Sequence, residues 1–253
     1  MLKKVSFSFL LLVLLPGFAL SQASIKDSAI FTPVIYATYS YQFPGGDLAR
    51  LFGANSSIGG GVLFKTKSNW LLGAEGNYLF GGTVKISDIL LSNIVSHEGY
   101  VIDPNGFFAD IYYYERGFNF FGKAGKVIPI FAPNPNSGIT LMAGAGFMQD
   151  KIRIHTSGND VPQITGDYLK GYDRLNNGFA VTGSLGYMYL GNTRLLNFYI
   201  GFDFIQAWTQ SKRKRDFDTG LPDNKKYNSQ FYSVKVNWFI PLYKRTPQAY
   251  YLY

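Results

Sequence analysis

The sequence predicts an all-β chain: an eight-stranded antiparallel barrel that crosses a membrane, with long loops at one end and short turns at the other. Three observations predict it. Residues 70–80, WLLGAEGNYLF, alternate with period two: Trp70, Leu72, Ala74, Gly76, Tyr78 and Phe80 share an apolar face, aromatic at both ends, while Leu71, Gly73, Glu75, Asn77 and Leu79 share a small, polar one. A strand facing lipid on one side and a polar lumen on the other has this pattern, and its length matches the roughly 9–11 residues of a tilted spanning strand. Connections between such segments then alternate short and long. Finally, apolar residues make up 47% and aromatics 17% of the chain, with 28 Gly, yet they lie in short alternating runs.

The elements follow in order. Lys3 and Lys4, an apolar run over residues 5–15, Pro16-Gly17 and the small Ala19 and Ser21 predict a secretory signal peptide over residues 1–21. The run is too short for a spanning helix, which takes about 20 apolar residues, and no cysteine stands near the cleavage point to carry a lipid. Strands are expected over 31–41, 57–65, 70–80, 117–128, 139–154, 179–190, 196–209 and 231–243. Each sets residues such as Ile35, Ile58, Phe118, Leu141, Val181, Phe202 or Trp238 outward and Thr38, Gly61, Asn119, Gly144, Ser184 or Asn237 inward. Residues 43–55 read as a loop with a short helix from Asp47. Residues 81–114 read as a long excursion in which Ser87 caps a helix, with a return strand starting above the membrane at 110–115. Loops over 156–177 and 211–229 are polar or charged. Turns at 67–69, 132–138 and 191–194 are short; the PNPNSG stretch cannot continue a ladder. Long loops on one side, short turns on the other and an even count match an outer-membrane barrel with both termini in the periplasm. The expected barrel covers 22–243, with a periplasmic tail over 244–253. A soluble sandwich is the alternative, but it would not turn apolar side chains outward on every strand.

Composition narrows the function. There is no cysteine, which excludes thiol chemistry and disulfides. Net charge is +8, and +6 without Lys3 and Lys4. In a secreted barrel that excess points to anionic lipid headgroups or acidic partners rather than nucleic acid. Inward-facing Glu75, Lys123, Asp203 and Lys235 are two acids and two bases in a lumen that side chains just fill, so an ion-pair network is expected to plug it. A narrow channel is the alternative use of the same residues. Lys212, Arg213, Lys214 and Arg215 form a basic run suited to phosphate headgroups or an acidic protein face, or simply to solvent. The apolar helix face Leu90, Leu91 and Ile94 is a second expected contact. Catalysis is not expected. His97, Glu98, His155, Asp160 and Asp167 lie in outer loops without a nucleophile motif or metal-ligand spacing, and a loop-borne enzyme would require both histidines to converge with an acid. No cofactor or metal site is read, and Gly59-Gly60-Gly61 lies inside a strand rather than in a phosphate loop. Inward glycines are expected to make room for Tyr36, Phe121 and Tyr199.

The hairpin rhythm resembles the small OmpA/OmpX-type outer-membrane barrels. YERGFNFFGKAGK (residues 114–126), NPNSG (134–138), DKIRI (150–154) and GDYLKGYDRL (166–175) resemble a Bacteroidota outer-membrane family related to PorT-like proteins. That resemblance implies the compartment and the barrel, and a non-enzymatic role as a subunit of secretion or barrel-assembly machinery. The aromatic tail ending in Tyr250, Tyr251 and Tyr253 departs from the general barrel pattern.

Overall fold

The computed structural model describes residues 28–157, 161–191 and 196–242. The expected signal peptide and tail, Asp160, Tyr243 and most of the 191–194 turn lie outside them. Eight strands follow in chain order: β1 (Thr32–Gly46), β2 (Asn55–Lys65), β3 (Trp70–Gly81), β4 (Asp110–Ile128), β5 (Gly138–Ser157), β6 (Asn176–Leu190), β7 (Asn197–Ser211) and β8 (Lys226–Pro241). Each pairs antiparallel with the next, and β8 pairs with β1 from Val34↔Pro241 to Gly46↔Ser229, closing the sheet into a barrel. Closure removes the unpaired edges an open sheet would expose.

Period-two alternation decides which way each side chain points. On β1, Val34 and Tyr36 are 2% and 3% exposed, whereas Ile35 and Tyr39 are 48% and 47% exposed. On β8, Trp238 is half exposed and its neighbour Phe239 is fully buried. The outside is therefore a continuous apolar belt that includes Leu72, Phe120, Leu185, Phe202 and Val236, all exposed. The belt ends where Arg116 and Lys151 face each other across β4 and β5.

The strands run further at the loop end than the sequence predicts. Pro44 pairs with Phe231, so β1 continues to Gly46 and residues 43–46 are strand, not loop. β5 reaches Ser157, β6 begins at Asn176, and β8 begins at Lys226. Beyond the belt the outer face turns polar while inward Ile152, Ile154 and Phe231 stay buried. The apolar-outward alternation then no longer marks a strand, although the ladder continues.

The interior is layered. At the turn end, Val34, Leu63, Leu71, Val127, Met188 and Phe239 form an apolar cluster; Tyr36 and Tyr199 border the polar middle layer; at the loop end, Leu79, Met148, Ile152, Ile205 and Phe231 form a second cluster. Inward glycines admit the two tyrosines. A Cβ on Gly61 would lie 2.6 Å from Tyr36 Oη, and one on Gly201 2.5 Å from Tyr199 Oη. The tight turn at 67–69 places Asn69 at φ 64°, a conformation asparagine tolerates, and closes with Asn69 N–H donating to Thr66 O at 3.0 Å.

The two α-helices among the described residues are single turns in loops, Leu48–Leu51 and Ser87–Leu90. Ser87 does not cap the second: the cap position is Ile86, and the Ser87 hydroxyl donates to Asp88 Oδ1 at 3.2 Å.

Candidate functional site

Strands β3, β4, β7 and β8 bring Glu75, Lys123, Asp203 and Lys235 together at mid-barrel. Lys235 Nζ donates to Glu75 Oε1 at 2.7 Å and also to Asp203 Oδ2. Lys123 Nζ donates to Glu75 Oε2 at 3.1 Å and lies 3.5 Å from Asp203 Oδ2. Tyr36 Oη (3.0 Å) and Asn77 Nδ2 (2.9 Å) donate to the remaining Glu75 positions, and Asn77 continues to Asn119. Each of the four charged side chains is at most 4% exposed. Two positive and two negative charges cancel, and each acid meets both lysines. Such mutual pairing is what makes buried charge tolerable in a low-dielectric interior.

Closer to the loops, two more carboxyls point inward. Glu115 accepts from Asn55 Nδ2 at 2.7 Å, and Asp150 lies on the adjacent strand. Arg116 Nη1 donates to backbone oxygens of Glu115 and Gly81 rather than to either carboxylate. Both acids are buried at the loop-side edge of the belt without a facing cation among the described residues. Burial pushes Glu115, just beyond the belt, up to about 8.

The loops over 82–109, 161–175 and 212–225 are tied into one cap. Asn93 Nδ2 donates to Phe217 O at 3.0 Å and Tyr172 Oη donates to Asn93 Oδ1 at 3.3 Å. Phe217 N–H donates to Gly171 O at 2.9 Å, and the Phe217 and Tyr172 rings meet edge to face at 5.5 Å. Arg213 forks onto Asp173, with Nε to Oδ1 at 2.7 Å. Arg174 bridges Asp216, at 2.6 Å, and Asp218. Forked guanidinium–carboxylate pairs fix geometry as well as charge. Lys212 N–H donates to Leu175 O, and Ile152 N–H on β5 to Asp173 O, which anchors the cap to the wall. The first loop joins through Asp47, whose Oδ2 accepts from Asn228 N–H at 3.0 Å and whose Oδ1 lies 3.6 Å from Lys225 Nζ. The Asn228 N–H holds that carboxyl below its usual range.

This arrangement re-sorts the expected contacts. Leu90 and Leu91 are not offered to a partner. They are 0% and 2% exposed, and with Val161, Ile164 and Tyr172 they stopper the barrel mouth; Ile94 packs half-buried against them. The single-turn helix lies over an open apolar mouth, so its greasy side turns down. Arg213 is committed to Asp173, whereas Lys212, Lys214 and Arg215 are exposed without an acid partner among the described residues. His155 projects outward from β5 opposite Tyr112, and His97 is exposed in the first long loop; neither is paired with an acid among the described residues.

Sequence reasoning passes over Lys65. It is wholly buried at the turn end, donating to Asn136 Oδ1 at 2.7 Å and Ile30 O at 3.3 Å. A lysine beside a turn reads as solvated, and its partner is 71 residues away. The cap acids Asp173, Asp216 and Asp218 have the same concealment.

A closed eight-stranded sheet, apolar outside and charge-neutralised within, defines the class: a small membrane β-barrel. No protein-family model and no curated protein matches the chain. Among solved structures it is similar to Ail, the attachment invasion locus protein of Yersinia pestis, with TM-score 0.46, 8% identity, and coverage of 83% of this chain and 99% of that one. It is similar to Neisserial surface protein A, with TM-score 0.38, 12% identity, and coverage of 81% and 96%. It is also similar to OprG from Pseudomonas aeruginosa, with TM-score 0.38, 10% identity, and coverage of 86% and 99%. The fold assignment rests on the chain's own ladders and belt.

Proposed function

We propose that the chain is a non-enzymatic barrel of the Gram-negative outer membrane. It would serve as an accessory subunit of an outer-membrane protein complex, secretion or barrel-assembly machinery, and dock its partner through the loop cap. In this reading the belt faces lipid, the short turns and both termini face the periplasm, and the cap stands outside. The observation that carries the proposal is the cap itself: three long loops cross-linked by Arg174, Arg213, Asn93 and Tyr172 into one pre-organised surface. Pre-organisation lowers the ordering cost of docking, and loops on a rigid scaffold are where small barrels carry specificity. The plugged middle layer leaves the loops and the lipid face as the surfaces available for work.

Affinity purification from native membranes tests this. The account expects a stable partner recovered with the wild-type chain and lost with Arg174→Gln, while the barrel itself still inserts. Recovery of the chain alone would overturn it. Steady ion conductance in planar bilayers, altered by Lys235→Ala, would replace it with the channel reading.

A further inference from the structure

The middle of the barrel neutralises its acids with lysines. One tier nearer the loops, two buried carboxyls have no such answer. Glu115 and Asp150 point inward from β4 and β5 as diagonal neighbours: Glu115 faces Ile152, and Asp150 faces Gly117. They are 0% and 1% exposed. None of the ion pairs among the described residues includes either acid. Arg116, the adjacent cation, sits on the outer face opposite Lys151. It stacks on the Tyr114 ring at 4.9 Å and gives Nη1 to the backbone oxygens of Gly81 and Glu115.

The polar side chains around the pair turn oxygen towards it. Asn55 is 3% exposed and donates Nδ2 to Glu115 Oε2 at 2.7 Å. Its own Oδ1 therefore lies beside the same carboxyl, and it accepts no hydrogen bond. Asn176 faces Asp150 across β5 and β6, turns Nδ2 to Arg174 O at 3.1 Å, and leaves Oδ1 without a donor. Gln42, paired with Asn55, leaves Oε1 without one as well. With Glu115 Oε1 and both Asp150 oxygens, six buried acceptors at this tier accept no hydrogen bond. Gly81 keeps the wall thin here: a Cβ on it would lie 3.0 Å from Glu115 Oε2. On β5, fully buried Met148 and Ile152 flank Asp150 with apolar surface.

Burial first, and then the Asp150 charge, push Glu115 up to about 8. The pair thus lacks positive charge. Water hydrogen-bonds such oxygens but brings none, and ionised carboxylates buried without compensation are strongly unfavourable. Two protons would neutralise the pair yet serve two of the six oxygens. A hard divalent cation fits both the charge and the donors. Calcium takes roughly 6–8 oxygen ligands, carboxylate and amide alike, in flexible geometry. No group of three or more His, Cys, Asp or Glu suited to a metal forms among the described residues, and an all-oxygen set of acids and amides disfavours zinc or copper.

We propose that Glu115 and Asp150, with the amide oxygens of Asn55, Gln42 and Asn176, bind one calcium ion inside the barrel beneath the loop cap. The site stands whether or not the cap docks a partner.

The test uses the full barrel, refolded from urea into detergent micelles with calcium chloride or with EDTA, at constant ionic strength. The pH is set near 8, the value to which Glu115 is raised. Equilibrium dialysis against radioactive calcium counts bound ions, and heat-induced loss of the folded band on cold SDS gels reads stability. Wild type is expected to retain one ion saturably and to melt higher in calcium than in EDTA, the gap widening with calcium concentration. Glu115→Gln combined with Asp150→Asn keeps the side-chain shapes and removes both charges. It should fold in EDTA, retain no ion and melt at the same temperature in either medium. Glu98→Gln, in the first long loop, should leave both readings as in wild type. Magnesium, which demands octahedral geometry and keeps its waters, should bind more weakly. No ion bound to folded wild type would mean that protons or water satisfy the pair, and would overturn the site. An ion retained by the double variant would overturn it too, by placing the calcium elsewhere. Magnesium held as tightly as calcium would overturn the choice of ion.

Discussion

At the scale of single residues, the decisive feature is the neutral square of Glu75, Lys123, Asp203 and Lys235. Lys235 touches both acids, so Lys235→Met leaves two buried carboxylates sharing Lys123, one charge uncompensated, and should cost about 3–5 kcal/mol, read as earlier heat-induced loss of the folded band on cold SDS gels. Adding Asp203→Asn removes one stranded charge and should recover part of that loss. A double variant worse than the single one would contradict the pairing. Glu115 makes a different statement. Its folded pKa is raised to about 8, so the folded barrel holds the proton more tightly than the unfolded chain. Stability from this group is then complete below the usual glutamate value near 4.5 and falls as pH rises towards 8. Glu115→Gln should flatten that part of the profile; an unchanged slope would place the titration elsewhere. Inward Glu75 and Lys235 were legible because strand phase alone fixes their direction. Phase turns Lys65 inward too, but it does not reveal that Asn136 from a distant turn covers it, or that Arg213 is spent on an acid 40 residues away.

At the scale of elements, strands were legible inside the belt, where one face is apolar, and dissolved outside it. β1 beyond Gln42, β8 before Ser229 and the upper part of β5 keep their ladders after the apolar-outward pattern has ended. The loop helix shows the complementary failure. Leu90 and Leu91 read as an apolar face, but a sequence does not say whether that face looks up to a partner or down into a barrel mouth. The loop cap brings another expectation. Gly171 lies under the Phe217 ring, and a Cβ there would come within 2.2 Å of it. Gly171→Ala should displace Phe217 and open the third loop to trypsin at Lys212, Lys214 and Arg215. Arg174→Gln, which frees Asp216 and Asp218, should do the same. Cleavage rates equal to wild type in both variants would mean that the loops are not held together.

At the scale of the whole molecule, the account is one of direction: apolar side chains away from the barrel axis and charges towards it. The chain contains no cysteine, so single-cysteine spin labels report their own positions alone. Placed in turn at 232 to 238 along β8 in reconstituted bilayers, they measure collision with oxygen against collision with a water-soluble nickel chelate. The account predicts high oxygen and low nickel access at Tyr232, Val234, Val236 and Trp238, with immobilised, doubly protected labels at Ser233, Lys235 and Asn237. Nickel access at the first set, or no alternation along the strand, would contradict it.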